Sequence, residues 1–287
     1  MAFRKRLRIA GKYGRRKGAR GKSRKAKRVR RRKLRKTIRR QVDKVAEKKE
    51  AGIGGMCDLH LIGGASWSTQ NIFPLTPYPL YLSINQGLGS ANRIGDKVKL
   101  HKATFTLIMF PRVHNLTSNP SPAPCIVRLW LCTLKPNVEQ TIEGVVSVAQ
   151  TAWLRAATGA DIGATGAFPD LTYPINTDLV TIQKAWTFKI GHMTYVWGDT
   201  GGAAPGSELA KNSYFANNDF PMYVKRRLKL TKYLPRQWKW DNAAATYINA
   251  RPHFLVWDCV PCNGVALTEG ESMVTVSYRY DVKYIDV

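Results

Sequence analysis

Between residues 273 and 285 apolar and polar side chains alternate almost without a break. Val274, Val276, Tyr278, Tyr280, Val282 and Tyr284 fall on one side, and Met273, Thr275, Ser277, Arg279, Asp281 and Lys283 on the other. A period of two marks a strand with one face buried. The stretch 180–190 repeats the pattern, with Val180, Ile182, Trp186, Phe188 and Ile190 on one side and Lys184 as an intruder among them; Thr181, Gln183, Thr187 and Lys189 take the other. In 222–232, Met222, Val224, Leu228 and Leu230 alternate with Tyr223, Lys225, Arg227, Lys229 and Thr231. Runs at 56–63, 97–110, 125–134, 192–197 and 253–260 bring the predicted strands to eight. Helical spacing in this part of the chain occurs at 141–157, through Ile142, Val145, Val146, Ala149, Trp153 and Leu154. Short strands joined by Pro- and Gly-rich connections, with one short helix in a loop, predict an all-β fold, an antiparallel two-sheet sandwich. The long connections 64–96 and 198–221 suit the ends of such a sandwich.

The first fifty residues follow another rule. Leu34, Ile38, Val42 and Val45 are spaced by four, four and three, which predicts a helix within 25–50, with Gly52 as a plausible stop. Residues 1–24 carry Phe3, Leu7, Ile9 and Tyr13 but too few apolar groups to repay the entropy of ordering, so they are expected to be disordered when free. Ala51-Gly52-Ile53-Gly54-Gly55 reads as a flexible hinge. The expected division is a basic arm and hinge at 1–55 and a sandwich domain at 56–287.

Charge sharpens that division. The chain has 287 residues and a formal net charge of +27. Residues 1–50 hold 25 Lys/Arg against Asp43, Glu47 and Glu50, a net of +22; the remaining 21 Lys/Arg face 16 acids, a net of +5. A polycation of this density is a partner for polyanions, because Lys and Arg on phosphates release condensed counterions whatever the base sequence. The candidate nucleic-acid contacts are therefore Arg4, Lys5, Arg6, Arg8, Lys12, Arg15, Arg16, Lys17, Arg20, Lys22, Arg24, Lys25, Lys27, Arg28, Arg30, Arg31, Arg32, Lys33, Arg35, Lys36, Arg39 and Arg40. Arg outnumbers Lys among them, which favours bidentate phosphate contacts and stacking on exposed bases. The run Lys25, Lys27, Arg28, Arg30, Arg31, Arg32 and Lys33 has the composition of a nuclear import signal. A second candidate is the strand side Tyr223, Lys225, Arg227 and Lys229, continuing to Thr231 and Tyr233, where cations lie between aromatics as a single strand with stacked bases would use them. Its bland alternative is a solvated strand face. Trp238 and Trp240 read as core or contact packing.

Catalytic chemistry finds little support. Gly159, Gly163 and Gly166 sit in a stretch loosely like a dinucleotide fingerprint, but without the flanking strand and helix. The sequence has no phosphate-binding GxxxxGK[ST], no HExxH and no GxSxG, and its five histidines are scattered. Cys57, Cys125, Cys132, Cys259 and Cys262 are odd in number and follow no secretory pattern, so free thiols are expected. Cys259 and Cys262 make one CxxC, half a zinc site without a second half. No metal, no cofactor, no catalytic residue and no membrane partner is expected, and the chain does not read as an enzyme.

The stretch Gln86-Gly87-Leu88-Gly89-Ser90-Ala91-Asn92-Arg93-Ile94-Gly95-Asp96-Lys97-Val98-Lys99-Leu100 resembles the capsid proteins of circular, Rep-encoding single-stranded DNA viruses, circovirus-like coats that carry Gln-Gly and then an Arg-Ile-Gly-(Asp/Asn)-Lys turn before a long strand. The motif covers residues 86–110, and the order of basic arm, Gly segment, strands and turn is similar along the whole chain. The resemblance implies an eight-stranded antiparallel jelly roll and self-assembly into a small icosahedral shell of about 60 copies. It also implies a single-stranded genome held by the arm, DNA rather than RNA, nuclear entry through the host import machinery, and residence in the virion and the nucleus. Related coats of small single-stranded RNA viruses share a version of the motif. A cellular nucleic-acid-binding protein of ribosomal or chromatin type is the alternative from another class, although its basic residues would be expected throughout the body.

Overall fold

The computed structural model describes residues 26–38, 41, 48–60, 71–77, 82, 84–89, 91–113, 119, 122–198, 209–215, 219–241, 251–263 and 271–287. The chain forms two compact units, Met1–Glu47 and Lys48–Val287. In the first, α1 spans residues 26–38, and every residue of it is exposed.

The second unit is antiparallel throughout its named ladders. One sheet holds β1 (Lys49–His60), β13 (Ser272–Asp286), β3 (Lys97–Pro111) and β10 (Val224–Lys229) in that order, with β11 (Gln237–Lys239) also paired to β3. The other holds β2 (Ile72–Pro74), β12 (Phe254–Pro261), β4 (Cys125–Leu134) and β7 (Val180–Ile190). The pairings nest: β1 with β13, β2 with β12, β3 with β10, β4 with β7. The chain thus runs out and back as one long hairpin whose paired halves are shared between two sheets. Two further ladders lie apart, β5 (Leu154–Arg155) with β6 (Asp161–Ile162) and β8 (His192–Gly198) with β9 (Leu209–Phe215).

Two cores follow from the alternation. Phe105, Leu107, Val276, Tyr280 and Val282 of the first sheet meet Phe73, Val127, Leu129, Leu255 and Trp257 of the second. Around Phe105 the rings of Phe73, Tyr278 and Trp257 lie 5.2 to 6.0 Å away. On its other side the second sheet turns Ile72, Trp130, Cys132, Leu134, Phe254 and Val256 toward α2 (Ile142–Ala152), which buries Ile142, Val145, Val148 and Ala149. Thr141 caps that helix, accepting a hydrogen bond from Gly144 N at 3.1 Å. This second sheet is covered on both faces, so β12 is buried at every position. On the β12–β4 strand pair, Arg128 donates to both oxygens of the fully buried Asp258 and, at 2.7 Å, to the Asp170 carbonyl in the turn Phe168–Leu171.

Several expectations change. The glycine segment 51–55 is no hinge: it lies inside β1, in register with β13 from Lys49 to Leu59. Turn composition yields here because Lys49, Ala51, Ile53, Cys57 and Leu59 keep a period of two, and the Tyr278 ring lies over Gly55, where an added Cβ would sit 3.1 Å from its hydroxyl. The domain boundary therefore falls at Lys48 rather than at 56. The predicted strand 192–197 exists but pairs with β9 outside the two main sheets. The two main sheets instead take in β2, three residues long and inside the connection 64–96. Among the described residues thirteen strands occur, not eight. The helix 141–157 ends at Ala152, and Leu154 passes into β5. Lys184 is explained by an irregular register, Leu131 facing Lys184 and Cys132 facing Ile182, which leaves Gln183 as an extra residue. That bulge reverses β7, so Val180 and Ile182 serve the core under α2 while Trp186, Phe188 and Ile190 serve the core between the sheets.

Candidate nucleic-acid interface

The face of the first sheet that points away from the core is built by register. Lys225, Arg227 and Lys229 of β10 stand opposite Ile108, Thr106 and Thr104 of β3, and these stand opposite Ser277, Arg279 and Asp281 of β13. Arg227 and Arg279 thus flank Thr106 on either side, two strand spacings or about 10 Å apart. Val224 and Leu228 point the other way, into the core, which fixes the three cations outward. Tyr223 precedes them and is 59% exposed.

Further along β3 the face becomes more basic. Val98 and Leu100 are core residues, so Lys97 and Lys99 lie outward. On β11, Trp238 is core and Gln237 and Lys239 lie outward, opposite Lys99 and Lys97. Lys102 stands opposite Lys283, beside an irregularity that leaves His101 as an extra, exposed residue. Two acids of this face are already matched, Asp281 by Arg279 at 2.8 Å and Glu50 by Lys283. Lys97, Lys102, Lys225, Arg227, Lys229 and Lys239 are exposed and form no ion pair among the described residues. Such cations, with the partly exposed Thr106 between Arg227 and Arg279, are suited to phosphate oxygens and carry no readout of base sequence.

Of the arm candidates, Lys27, Arg28, Arg30, Arg31, Arg32, Lys33, Arg35 and Lys36 lie on α1 and are exposed. Arg4, Lys5, Arg6, Arg8, Lys12, Arg15, Arg16, Lys17, Arg20, Lys22, Arg24, Lys25, Arg39 and Arg40 fall outside the described residues, as do Val42 and Val45 of the expected helical stripe. Leu34 and Ile38 of that stripe are exposed. Lys225, Arg227 and Lys229 share one face of β10 and the exposed Tyr223 precedes them, whereas Tyr233 packs against the core with Lys232 over its ring at 4.6 Å. Trp238 and Trp240 are core residues, and the Arg93 guanidinium lies 4.6 Å from the centre of the Trp240 ring.

Sequence reading missed Arg279, Thr106, Lys97, Lys102 and Lys239. Arg279 was visible on the polar side of its strand; only the register shows that it neighbours Arg227. The Arg93 turn is structural. Arg93 is 1% exposed, its Nη1 donates to Gly95 O at 2.6 Å, and its backbone bonds to Gly87 and Asn85. The adjoining Asn92 carbonyl accepts from Lys49 Nζ at 2.7 Å, and Lys49 also pairs with Asp286 at 2.9 Å, so this turn ties the start of β1 to the end of β13. The glycines of the false fingerprint have local causes: a Cβ on Gly163 would lie 1.8 Å from the Gln150 carbonyl, and Gly166 has φ +73° where its N–H donates to Asp170. The five cysteines are free, with Cys125, Cys132 and Cys259 buried. Burial pushes Cys57 up to about 12, with Asp58 adding to the shift. Among the described residues no group of three or more His, Cys, Asp or Glu is arranged for a metal. No protein-family model matches the chain, and no curated protein matches it at a significant level.

Proposed function

We propose that the chain is the coat protein of a small virus with a circular single-stranded DNA genome, a jelly roll that assembles into a closed shell and gathers the genome with its basic arm. The observation that carries the reading is the nested pairing order. Leaving aside the three-residue β11, which pairs with β3 off the main path, and numbering the other eight strands of the two main sheets along the chain, the orders are 1-8-3-6 and 2-7-4-5. That order is what a jelly roll requires, and viral shells are among the folds built from it. The placement of charge adds support: a net of +22 precedes the first strand, and further unpaired cations gather on one sheet face. The resemblance carried by the stretch around Arg93 tilts the reading toward a DNA rather than an RNA genome, although RNA-virus coats share a version of that motif. In this reading the basic run Lys25 to Lys33, most of it on α1, doubles as the nuclear import signal and the protein is no enzyme.

The test is purification of the full chain followed by sedimentation, electron microscopy and nuclease digestion of the extracted nucleic acid. Closed particles holding nucleic acid are expected from any expression host, and DNase-sensitive, RNase-resistant cargo from infected material. A stable monomer that binds nucleic acid would favour the ribosomal or chromatin type of protein instead.

A further inference from the structure

The four edges of the two main sheets are not alike. An edge strand exposes unpaired N–H and C=O groups and invites another strand, unless it is short, bulged or lined with cations. Three edges carry such guards among the described residues. β2 has three residues; β7 has a bulge at Gln183 with exposed Lys184 and Lys189; β10 has Lys225, Arg226, Arg227 and Lys229 in six residues. The fourth edge, β1, is twelve residues long and in unbroken register with β13 from Lys49 to Leu59. Its centre, Gly52 to Met56, carries no charge; Gly52, Gly54 and Gly55 are exposed and Met56 is 67% exposed. Glu50 and Asp58 at its ends are matched within the subunit by Lys283 and Arg112.

We propose that the unguarded edge of β1 pairs antiparallel with β1 of a second copy, about a two-fold axis at Gly55. A second copy is the fitting occupant because the same neutral, glycine-lined edge is presented by both partners, as an isologous contact demands. The inference rests on the self-assembly proposed above. Antiparallel pairing starts the two arms, each of net +22, at opposite ends of an edge roughly 40 Å long at ~3.4 Å per residue. Centring on Gly55 places Met56 over Gly54 of the other copy and Asp58 opposite Gly52. Centring one residue earlier would set Glu50 against Asp58 and repel.

Met56→Lys puts a guard on this edge at an exposed position. Expected are a folded protein, judged by near-UV circular dichroism and melting, and loss of fast-sedimenting particles. Met56→Cys supplies the complementary signal. The two introduced thiols lie on a diagonal, ~7–8 Å apart, and a short bis-maleimide should convert the protein to covalent dimers, with the wild type unchanged as control. If Met56→Lys is folded and still forms wild-type particles, or if Met56→Cys gives no cross-link in assembled material, the edge pairing is wrong while the coat reading stands. If the wild type itself never associates, the coat reading falls and the edge pairing with it.

Discussion

Burial decides the chemistry of individual side chains in this molecule. His253 is 6% exposed at the entry to β12, with its Nδ1 3.0 Å from the Arg251 carbonyl, while its own carbonyl accepts from Leu75 N beside β2. Burial lowers its pKa to about 4, against backbone groups of Arg251 and Tyr233 that favour the cation. The folded protein therefore keeps this ring neutral where an unfolded chain protonates it, near pH 6.5. Stability contributed by the neutral ring is complete above that pH and is lost as the pH falls toward 4, in total by roughly 3 kcal/mol. Urea unfolding of a protein beginning at Lys48 should show this loss between pH 6.5 and 4, and His253→Gln should remove that part of the pH dependence. Parallel curves for the two proteins would mean that the ring is protonated in the fold.

At the scale of elements, the long strands were legible from alternation, as in 273–285 and 180–190, or from an apolar run, as in 125–134; the bounds of 125–134 and 180–190 match β4 and β7. What stayed hidden depended on partners far along the chain. Ile72-Phe73-Pro74 is too short to show a period, and becomes a strand by pairing with Phe254–Val256. The glycine segment became β1 because β13 offers it a full ladder and Tyr278 covers Gly55. Half of the candidate interface, the cations of β10, was readable as a polar strand side; its union with Arg279 and Lys97 was not, since register brings them together. The revised boundary makes a direct prediction. A protein beginning at Lys48 should melt cooperatively as the intact body. One beginning at Met56 loses seven residues of the β1 ladder and the Lys49–Asp286 pair, in which Lys49 is 4% exposed. Asp286 is 20% exposed and keeps the Ile94 amide, so the loss falls mainly on the ladder, and the melting temperature should fall by roughly 5 °C or more. Equal melting temperatures would return the boundary to the glycines.

For the whole molecule the governing feature is a division of charge, a net of +22 in the first fifty residues and +5 in the rest. In the proposed shell the sandwich supplies contacts between copies and the arm supplies attraction for a genome of any sequence. If about 60 copies each bring one arm, and arm cations neutralise most of the phosphates, the cargo is on the order of one to two thousand nucleotides. A circular genome of that size accommodates a coat gene and a replication gene. The most direct measurement of this account is the length of nucleic acid extracted from assembled particles when half of the arm's Lys and Arg are replaced by Gln. The predicted result is cargo shortened in rough proportion to the lost charge, in particles of unchanged diameter. Full-length cargo in those particles would contradict the account and leave the sheet face of Lys225, Arg227 and Lys229 as the group that sets capacity.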